Sequence, residues 1–186
     1  MEKIQVKPET ALFPLPVVLV TSIDKTGRPN IITLAWTGII CSEPPMLSIS
    51  IRPHRYSYGL IKEQGEFTVN VPSENLMKET DICGVVSGRD RDKFELTKLT
   101  AEKASLIKPP LIKECLAALE CRLKSSILLG THEIFMAEIL AVHFDKSAMK
   151  PGSRDIDYAK ARPFTYNRGE YWSLREKIGF YGCSKE

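Results

Sequence analysis

The segment Met46–Arg52 alternates between apolar and polar side chains, and this pattern constrains the fold more than any other feature of the chain. Successive side chains of a β-strand point to opposite faces, so the alternation predicts a half-buried strand. The residues expected in the core are Leu47, Ile49 and Ile51. The other face carries two small hydroxyl side chains, Ser48 and Ser50, and forms a polar floor on which a ligand could lie.

Strand patterns recur along the chain, whereas patterns long enough for a helix are few. The further strands are predicted at Pro16–Ile23, Asn30–Trp36, Glu66–Val71, Leu116–Lys124 and His132–Phe144. Asp24–Gly27 is a turn signal, so the strands on either side of it, Pro16–Ile23 and Asn30–Trp36, are predicted to form a hairpin. In Leu116–Lys124 the alternation places Cys121 inward and Glu120 outward. Six or seven strands indicate an antiparallel barrel or sandwich.

Two short helices and one further helical turn are expected beside the strands. Tyr58–Gly65 is bounded by Ser57 as a plausible N-cap and by Gly65 as a stop. The second helix covers roughly Glu74–Val85 and opens at Ser73, and the turn lies near Phe94–Leu96. The fold class predicted is therefore all-β with short flanking helices. The 186 residues correspond to a single domain, 1–186, with a charged and aromatic tail from about residue 146.

Composition narrows the function classes. The net charge of +3 gives a weak attraction for small anionic ligands. It is smaller than the strongly basic charge that is typical of a nucleic-acid-binding protein. The N-terminus has no signal-peptide pattern and no apolar run could cross a membrane, so a cytoplasmic location is expected. The five cysteines show no spacing typical of a disulfide framework, so they are expected to be reduced thiols. Cys183 is the one expected to be accessible. Three histidines at wide spacing predict no metal site.

The segment Arg52–Ser57 is the strongest candidate for binding chemistry, because it lies where a strand meets a helix. The first turn of a helix exposes unpaired N–H groups, and Arg55 and Ser57 lie at that point, which suits a phosphate. The competing interpretation is a helix cap with solvated arginines. Thr33 and Trp36 are further candidates that could equally be strand and core residues. Lys93, with Arg89, could bind an anion or belong to a solvated charge run. The chain has no G-x-G-x-x-G and no Walker A sequence.

Several short segments occur in an order that resembles the flavin reductase-like, FMN-binding split-barrel family, and most closely its flavoredoxin branch. They are Thr21–Asn30, Thr33–Trp36, Ser42–Pro45, Ser48–Ile51, Arg55–Ser57, Phe67–Asn70, Ser87–Gly88 with Asp92–Phe94, His132–Phe135 and Tyr171–Gly182. The resemblance covers about residues 10 to 182. It implies a six-stranded Greek-key split barrel, a homodimer and one FMN per subunit near the interface, with the tail on the barrel or on the partner.

The same resemblance assigns roles to residues. Those expected to border the isoalloxazine ring or ribityl chain are Thr33, Leu34, Ala35 and Trp36. Those expected to offer small side chains and backbone groups to the polar edge of the flavin are Ser48, Ile49, Ser50 and Ile51. Those expected to hold the phosphate are Arg55, Tyr56 and Ser57, with Lys93 nearby. His132 is expected to line the nicotinamide position, or else to be an interface or core histidine.

The implied activity is that of an FMN-dependent oxidoreductase. Hydride would pass from NAD(P)H to the flavin, and electrons would pass on to free flavin, ferric iron or a redox protein, while the protein supplies position and electrostatics. The alternative is a flavoredoxin-type electron carrier that binds FMN without NAD(P)H turnover. A nucleic-acid-binding barrel is disfavoured, because acidic residues balance the basic ones nearly everywhere and no basic and aromatic stripe is present.

Overall fold

A computed structural model describes residues 1–185, and over that range the chain forms twelve strands and four α-helices. The strands are β1 (Leu15–Pro16), β2 (Val18–Ile23), β3 (Pro29–Leu34), β4 (Thr37–Ser42), β5 (Pro45–Ile51), β6 (Glu66–Val71), β7 (Ala101–Glu102), β8 (Leu111–Ile112), β9 (Ala117–Leu129), β10 (His132–Phe144), β11 (Phe164–Asn167) and β12 (Glu170–Ser173). The helices are α1 (Tyr56–Gln64), α2 (Met77–Val85), α3 (Lys93–Thr97) and α4 (Tyr158–Ala161).

The main sheet is antiparallel and curls into a split barrel. Its strand order is β3-β2-β6-β9-β10-β5-β4. The two edge strands, β3 and β4, are consecutive in the chain, with only Ala35 and Trp36 between them. A two-residue connection cannot span an open seven-stranded sheet, so the edges must approach each other. In the link between them, the Trp36 carbonyl oxygen accepts the Ser50 N–H at 2.9 Å, which continues the pairing of β4 with β5.

The barrel interior contains the apolar faces of these strands. Phe67 and Phe135 are fully buried there with Val20, Ile49 and Cys121. The alternation predicted for β5 is confirmed, since the three side chains expected in the core are buried and its serines are half-buried. A second core lies outside the barrel, where α2 and α3 cover β2 and β3. Its buried members are Leu19, Ile31, Cys83, Phe94, Leu99, Ile112 and Cys115.

The predicted all-β split barrel is confirmed, but its main sheet, as far as residues 1–185 describe it, has seven strands and not six. The added strand is β4. Its side chains are mostly exposed, so it lacks the buried apolar alternation by which strands are recognised in a sequence. Ser42–Pro45, one of the segments that carry the family resemblance, forms the tight turn that joins β4 to β5.

The first helix ends as predicted but begins earlier. Gly65 terminates α1 with a left-handed φ of 69°, and its N–H donates to the Ile61 carbonyl oxygen. Ser57 is not the N-cap, and this prediction is wrong. Arg55 occupies the cap position, and Ser57 lies inside the first turn, where it is buried. The second predicted helix starts as a 3₁₀ turn at Glu74–Leu76 and continues as α2.

The two ends of the chain come together beside the barrel. β1 pairs with β11, which pairs with β12, and an ion pair of 2.6 Å joins Arg162 to Glu74. Cys183 is exposed, as predicted. Residue 186 of the predicted tail lies outside the described residues. None of the helices in the described range is long and apolar enough to cross a membrane.

Glu120 on β9 was predicted to face solvent and is instead fully buried. The irregular segment before β8 folds over this face of β9, which local alternation does not reveal. The carboxylate accepts the backbone N–H groups of Ser105, Leu106 and Ile107 at 2.7–3.1 Å, and the ring of His143 lies 2.7 Å away. Burial opposes ionisation of Glu120, but these donors outweigh it, so the pKa of its carboxyl is lowered.

Replacing Glu120 with Gln should lower the free energy of unfolding by about 1–3 kcal/mol at neutral pH, because the ionised acceptor is lost to several buried donors. The folded-state pKa is depressed, so the carboxylate's contribution is complete above the ordinary glutamate pKa and disappears as the pH falls through the lowered value. Urea unfolding of both proteins from about pH 7 to about pH 3 should therefore show a shrinking difference. A difference of constant size would contradict this role.

Candidate functional site

Two adjoining clefts open beside the end of the barrel where β3, β5 and α1 meet. The larger has a volume of about 580 Å³, within the range typical of small-molecule sites. The smaller has a volume of about 170 Å³. Arg55 and Gly84 line both clefts, so the two form one continuous depression. A ligand with a bulky part and a compact part could occupy both at once.

The inner wall of the larger cleft is the short link between the edge strands together with its neighbours. Thr33–Trp36 line it with Ser50 and His132. The Trp36 and His132 rings stack with centroids 4.6 Å apart and a 35° tilt. The Thr33 hydroxyl is turned to the protein, since it donates to the Thr80 carbonyl oxygen at 2.5 Å. The exposed part of the inner wall is therefore aromatic and small-residue surface.

His132 can serve this wall as a neutral ring. Burial lowers its pKa, and the nearby charges of Arg52 and His54 lower it further. Its Nδ1 lies 3.0 Å from the Thr131 hydroxyl. At neutral pH the ring is therefore mostly uncharged, which suits contact with a flat aromatic ligand.

The smaller cleft is surrounded by donors and positive charge. The amino end of α1 borders it, with Arg55 and Tyr56, and so does the loop that follows α2. The Arg89 side chain donates to the His54 carbonyl oxygen at 3.0 Å and lies over the Tyr56 ring at 5.5 Å. An unpaired helix start beside two guanidinium groups is a typical environment for a phosphate.

Lys93 adds a buried ammonium to this cleft. It donates to the carbonyl oxygens of Ile31 and Cys83, both at 2.7 Å. Burial lowers its pKa to about 8, and the neighbouring Arg55 adds to the lowering. Two of the three ammonium protons are thus used to tie β3 to α2, and one remains for a ligand.

Asn30 is a further residue of this cleft that the sequence did not single out. It is buried, and its amide nitrogen donates to the Ser57 hydroxyl at 2.7 Å. Its Oδ1 is buried without a hydrogen-bond partner among residues 1–185. Asparagine is uncommon inside strands, and its presence in a predicted strand was the one sequence signal that Asn30 has a special role. A buried acceptor without a protein donor is a position where a ligand group or an ordered water can supply the donor.

The structure brings together most of the predicted site residues. Those on the larger cleft are Thr33, Leu34, Ala35, Trp36, Ser50, Arg55 and His132, and those on the smaller are Arg55, Tyr56, Ser57 and Lys93. Ser48, Ile49 and Ile51 are not among the residues that line these two clefts in the described chain. The two isoleucines are fully buried in the barrel core, since their side chains alternate away from Ser50.

The outer wall of the larger cleft was not predicted, and it comes from the two ends of the chain. The N-terminal segment contributes Glu9, Leu12 and Leu15, and the β11–β12 hairpin contributes Arg168 and Tyr171. The Tyr171 hydroxyl donates to Asp81 at 3.1 Å. Burial and this carboxylate raise the pKa of Tyr171 to about 12. Residues so distant in sequence give no local signal of a shared wall.

Gly88 is required where the loop after α2 crosses the smaller cleft. A β-carbon at this position would lie 1.9 Å from Asn30 Oδ1 and 2.9 Å from the Tyr56 ring. Gly88→Ala should therefore displace the loop and lower the free energy of unfolding by about 1–3 kcal/mol, the usual cost of overpacking.

The matched control is Gly59→Ala in α1, where a β-carbon meets nothing within 4 Å. That variant should be neutral or more stable by up to about 1 kcal/mol. Chemical unfolding of both variants measures the contrast. Equal stability of the two variants would show that the loop does not pack against Asn30 as described.

Comparison with protein families matches residues 10–175 to the flavin reductase like domain. Flavoredoxin of Desulfovibrio vulgaris superposes with a TM-score of 0.93 at 31% identity, covering 100% of both chains. Flavoredoxin from Methanosarcina acetivorans superposes with a TM-score of 0.91 at 30% identity, covering 100% of this chain and 98% of that one.

A more distant likeness concerns the fold alone. An FMN-binding protein from Thermus thermophilus superposes with a TM-score of 0.80 at 20% identity, covering 97% of this chain and 99% of the other. The split barrel is therefore shared with a protein whose sequence is only 20% identical.

Proposed function

This chain belongs to the flavin reductase-like family, in its flavoredoxin branch, and from that premise and its paired clefts we propose that it is an FMN-binding oxidoreductase. The observation that carries the proposal is the continuity of the clefts. A phosphate-type pocket opens through Arg55 and Gly84 into a larger aromatic cleft. FMN has this composition, with a compact dianionic end and a flat ring.

The smaller cleft fits the phosphate. Arg55, Arg89 and the remaining Lys93 proton supply positive charge and donors, and the amino end of α1 adds its unpaired N–H groups. Gly88 allows the loop after α2 to lie against Asn30 and Tyr56 at this cleft, where a β-carbon would clash with both. These residues hold the phosphate at the entrance of α1.

The unpartnered Asn30 oxygen fits the next part of the molecule. An acceptor suits a hydroxyl donor, and the ribityl chain of FMN carries hydroxyl groups between phosphate and ring. Asn30 thereby fixes the direction in which the chain leaves the phosphate. Arg55 and Gly84, which line both clefts, lie along this path.

In the larger cleft the Thr33–Trp36 link and Ser50 border the flavin ring, with His132 beside Trp36. When bound, FMN supplies a ring that accepts a hydride and releases the two electrons to an acceptor. The protein orients the ring and limits its contact with water. The neutral His132 ring lines the position at which a nicotinamide can approach. It adds no positive charge there.

The proposed reaction takes hydride from NAD(P)H and delivers electrons to free flavin, ferric iron or a protein acceptor. The second candidate is an electron carrier that holds FMN without consuming NAD(P)H. Its support is the similarity to two flavoredoxins at 30–31% identity. A cytoplasmic location remains a prediction from the sequence.

We also propose that the protein works as a homodimer. β4 is an edge strand with exposed Ile39 and Ile40, and the tip of the β9–β10 hairpin exposes Ile127, Leu128 and Leu129. Exposed apolar edge strands are usually covered in the native assembly. A second copy of the chain would provide that cover.

An absorbance experiment tests the proposal directly. The purified protein is mixed with FMN, desalted, and then given NADH or NADPH without oxygen. We expect a retained flavin spectrum that bleaches with one or both nucleotides. A retained spectrum that bleaches only with a chemical reductant supports the electron carrier. Loss of all flavin on desalting, together with no binding by calorimetry, would refute FMN as a ligand.

A pair of serine variants tests where the ring lies. Ser50 lines the larger cleft, whereas Ser48 on the same face of β5 lies outside both clefts. Ser50→Leu should fill the ring position and reduce FMN binding by at least about tenfold through steric exclusion. Ser48→Leu should leave it unchanged. Circular dichroism checks that both fold, and equal FMN affinities in the two folded variants would contradict this placement.

A further inference from the structure

The outer wall of the larger cleft carries an arginine whose present partner is another part of the same wall. Arg168 and Glu9 both line the cleft, and their side chains pair through two contacts, at 3.0 Å and 3.2 Å. The carboxylate of Glu9 thus lies on the guanidinium in the fork geometry that any carboxylate or phosphate would adopt.

The turn that carries Arg168 belongs to the β11–β12 hairpin and places this residue on the cleft. Arg168 and Gly169 form the two-residue connection between β11 and β12, and both have positive φ, 51° and 100°. Two consecutive positive φ values are the mark of a type I′ hairpin turn. β11 in turn pairs with β1, next to the cleft residue Leu15. The Arg168 guanidinium is therefore carried by a sheet, whereas Glu9 lies before β1 in a segment without regular secondary structure.

The pair itself is weak. The Arg168 and Glu9 side chains are 60% and 43% exposed, and exposed ion pairs contribute little to stability because water competes for both charges. Glu9 belongs to the N-terminal segment before β1, whose residues are exposed. Releasing Glu9 from Arg168 therefore costs little, and an anion entering the cleft can take its place.

We propose that Arg168 is a specificity-determining residue that receives the oxyanion group of a second molecule bound beside the flavin, and that Glu9 occupies this position when no such molecule is present. This inference rests on the proposed function, since it assumes that the inner wall holds FMN. The second molecule carries an unsaturated ring, which faces the inner wall, and a carboxylate or phosphate, which reaches the outer wall.

Two classes of substrate share this chemistry. One is a nicotinamide nucleotide, whose phosphates would reach Arg168, and the other is an aromatic carboxylate acting as electron acceptor. Asp81, a cleft residue on α2, accepts the hydrogen bond of the Tyr171 hydroxyl. Among the described residues that line the larger cleft, the arginines are Arg168 on the outer wall and Arg55 on the phosphate side.

Calorimetry on the FMN-loaded protein tests the proposal with NAD⁺ and benzoate as anionic probes and benzamide as the neutral match of benzoate. Arg168→Gln should lower the affinity for at least one of the two anionic probes by about tenfold or more, because charge-assisted hydrogen bonds are lost. The affinity for benzamide should not change. Glu9→Gln should raise the affinity for the same anionic probe about two- to fivefold, because the competing carboxylate is removed. The probe that responds identifies the substrate class.

Arg162 and Glu74 provide the matched control. Arg162 also has a positive φ, 47°, and also pairs with a glutamate, at 2.6 Å, but neither residue is among those that line the two clefts described above. Arg162→Gln and Glu74→Gln should not change the affinity of any probe. Thermal unfolding identifies a variant that fails to fold, and Arg168→Lys, which keeps the charge, should then retain part of the affinity.

The outcomes separate this inference from the proposed function. If FMN is retained by all variants but neither anionic probe distinguishes Arg168→Gln from the wild type, the subsite is refuted and the FMN site stands. If the wild-type protein binds no FMN, the proposed function fails first. Equal losses for benzamide and benzoate in Arg168→Gln would indicate a general distortion of the cleft and would also overturn the subsite.

Discussion

The connection of two residues between β3 and β4 is the constraint on which the rest of the structure depends. Because Ala35 and Trp36 join the opposite edges of the main sheet, the sheet must curl, and the hydrogen bond from the Ser50 N–H to the Trp36 carbonyl oxygen extends the pairing of β4 with β5 into this link. The same two residues form the inner wall of the larger cleft. The feature that makes the barrel thereby also creates the surface against which we place the flavin ring.

The smaller cleft would recognise a ligand by charge, and the larger cleft would recognise it by shape. Around the smaller cleft, Arg55, Arg89 and Lys93 stand beside the amino end of α1, although the whole chain has a net charge of only +3. Positive charge is thus concentrated locally, as anion recognition requires. The larger cleft is built from the Trp36–His132 stack and from the chain ends. Its outer wall is held by weak, exposed contacts, which suits the exchange of a second molecule more than permanent binding.

Much of the fold and of the inner site could be predicted because the signals are local. The alternation of β5 and the glycine at the end of α1 are properties of short segments, and the ordered family motifs led to Trp36, Arg55 and His132. The rest depends on contacts between distant segments. Glu120 is buried because residues 105–107 fold over it, and Asn30 belongs to the site because Ser57 and Gly88 approach it. Arg168 joins the cleft through the pairing of β1 with β11, which no local pattern reveals.

The central claim is that one ligand spans both clefts, with its phosphate at Arg55 and its ring at the inner wall. Comparing the affinities of FMN and riboflavin, which differ only by the phosphate, tests this claim most directly when it is done in the wild type and in Arg55→Ala. The account predicts that the wild type prefers FMN by about tenfold or more, the typical contribution of a charged hydrogen bond, and that most of this preference disappears in the variant. Equal affinity for both flavins in the wild type, or an undiminished preference in Arg55→Ala, would contradict it.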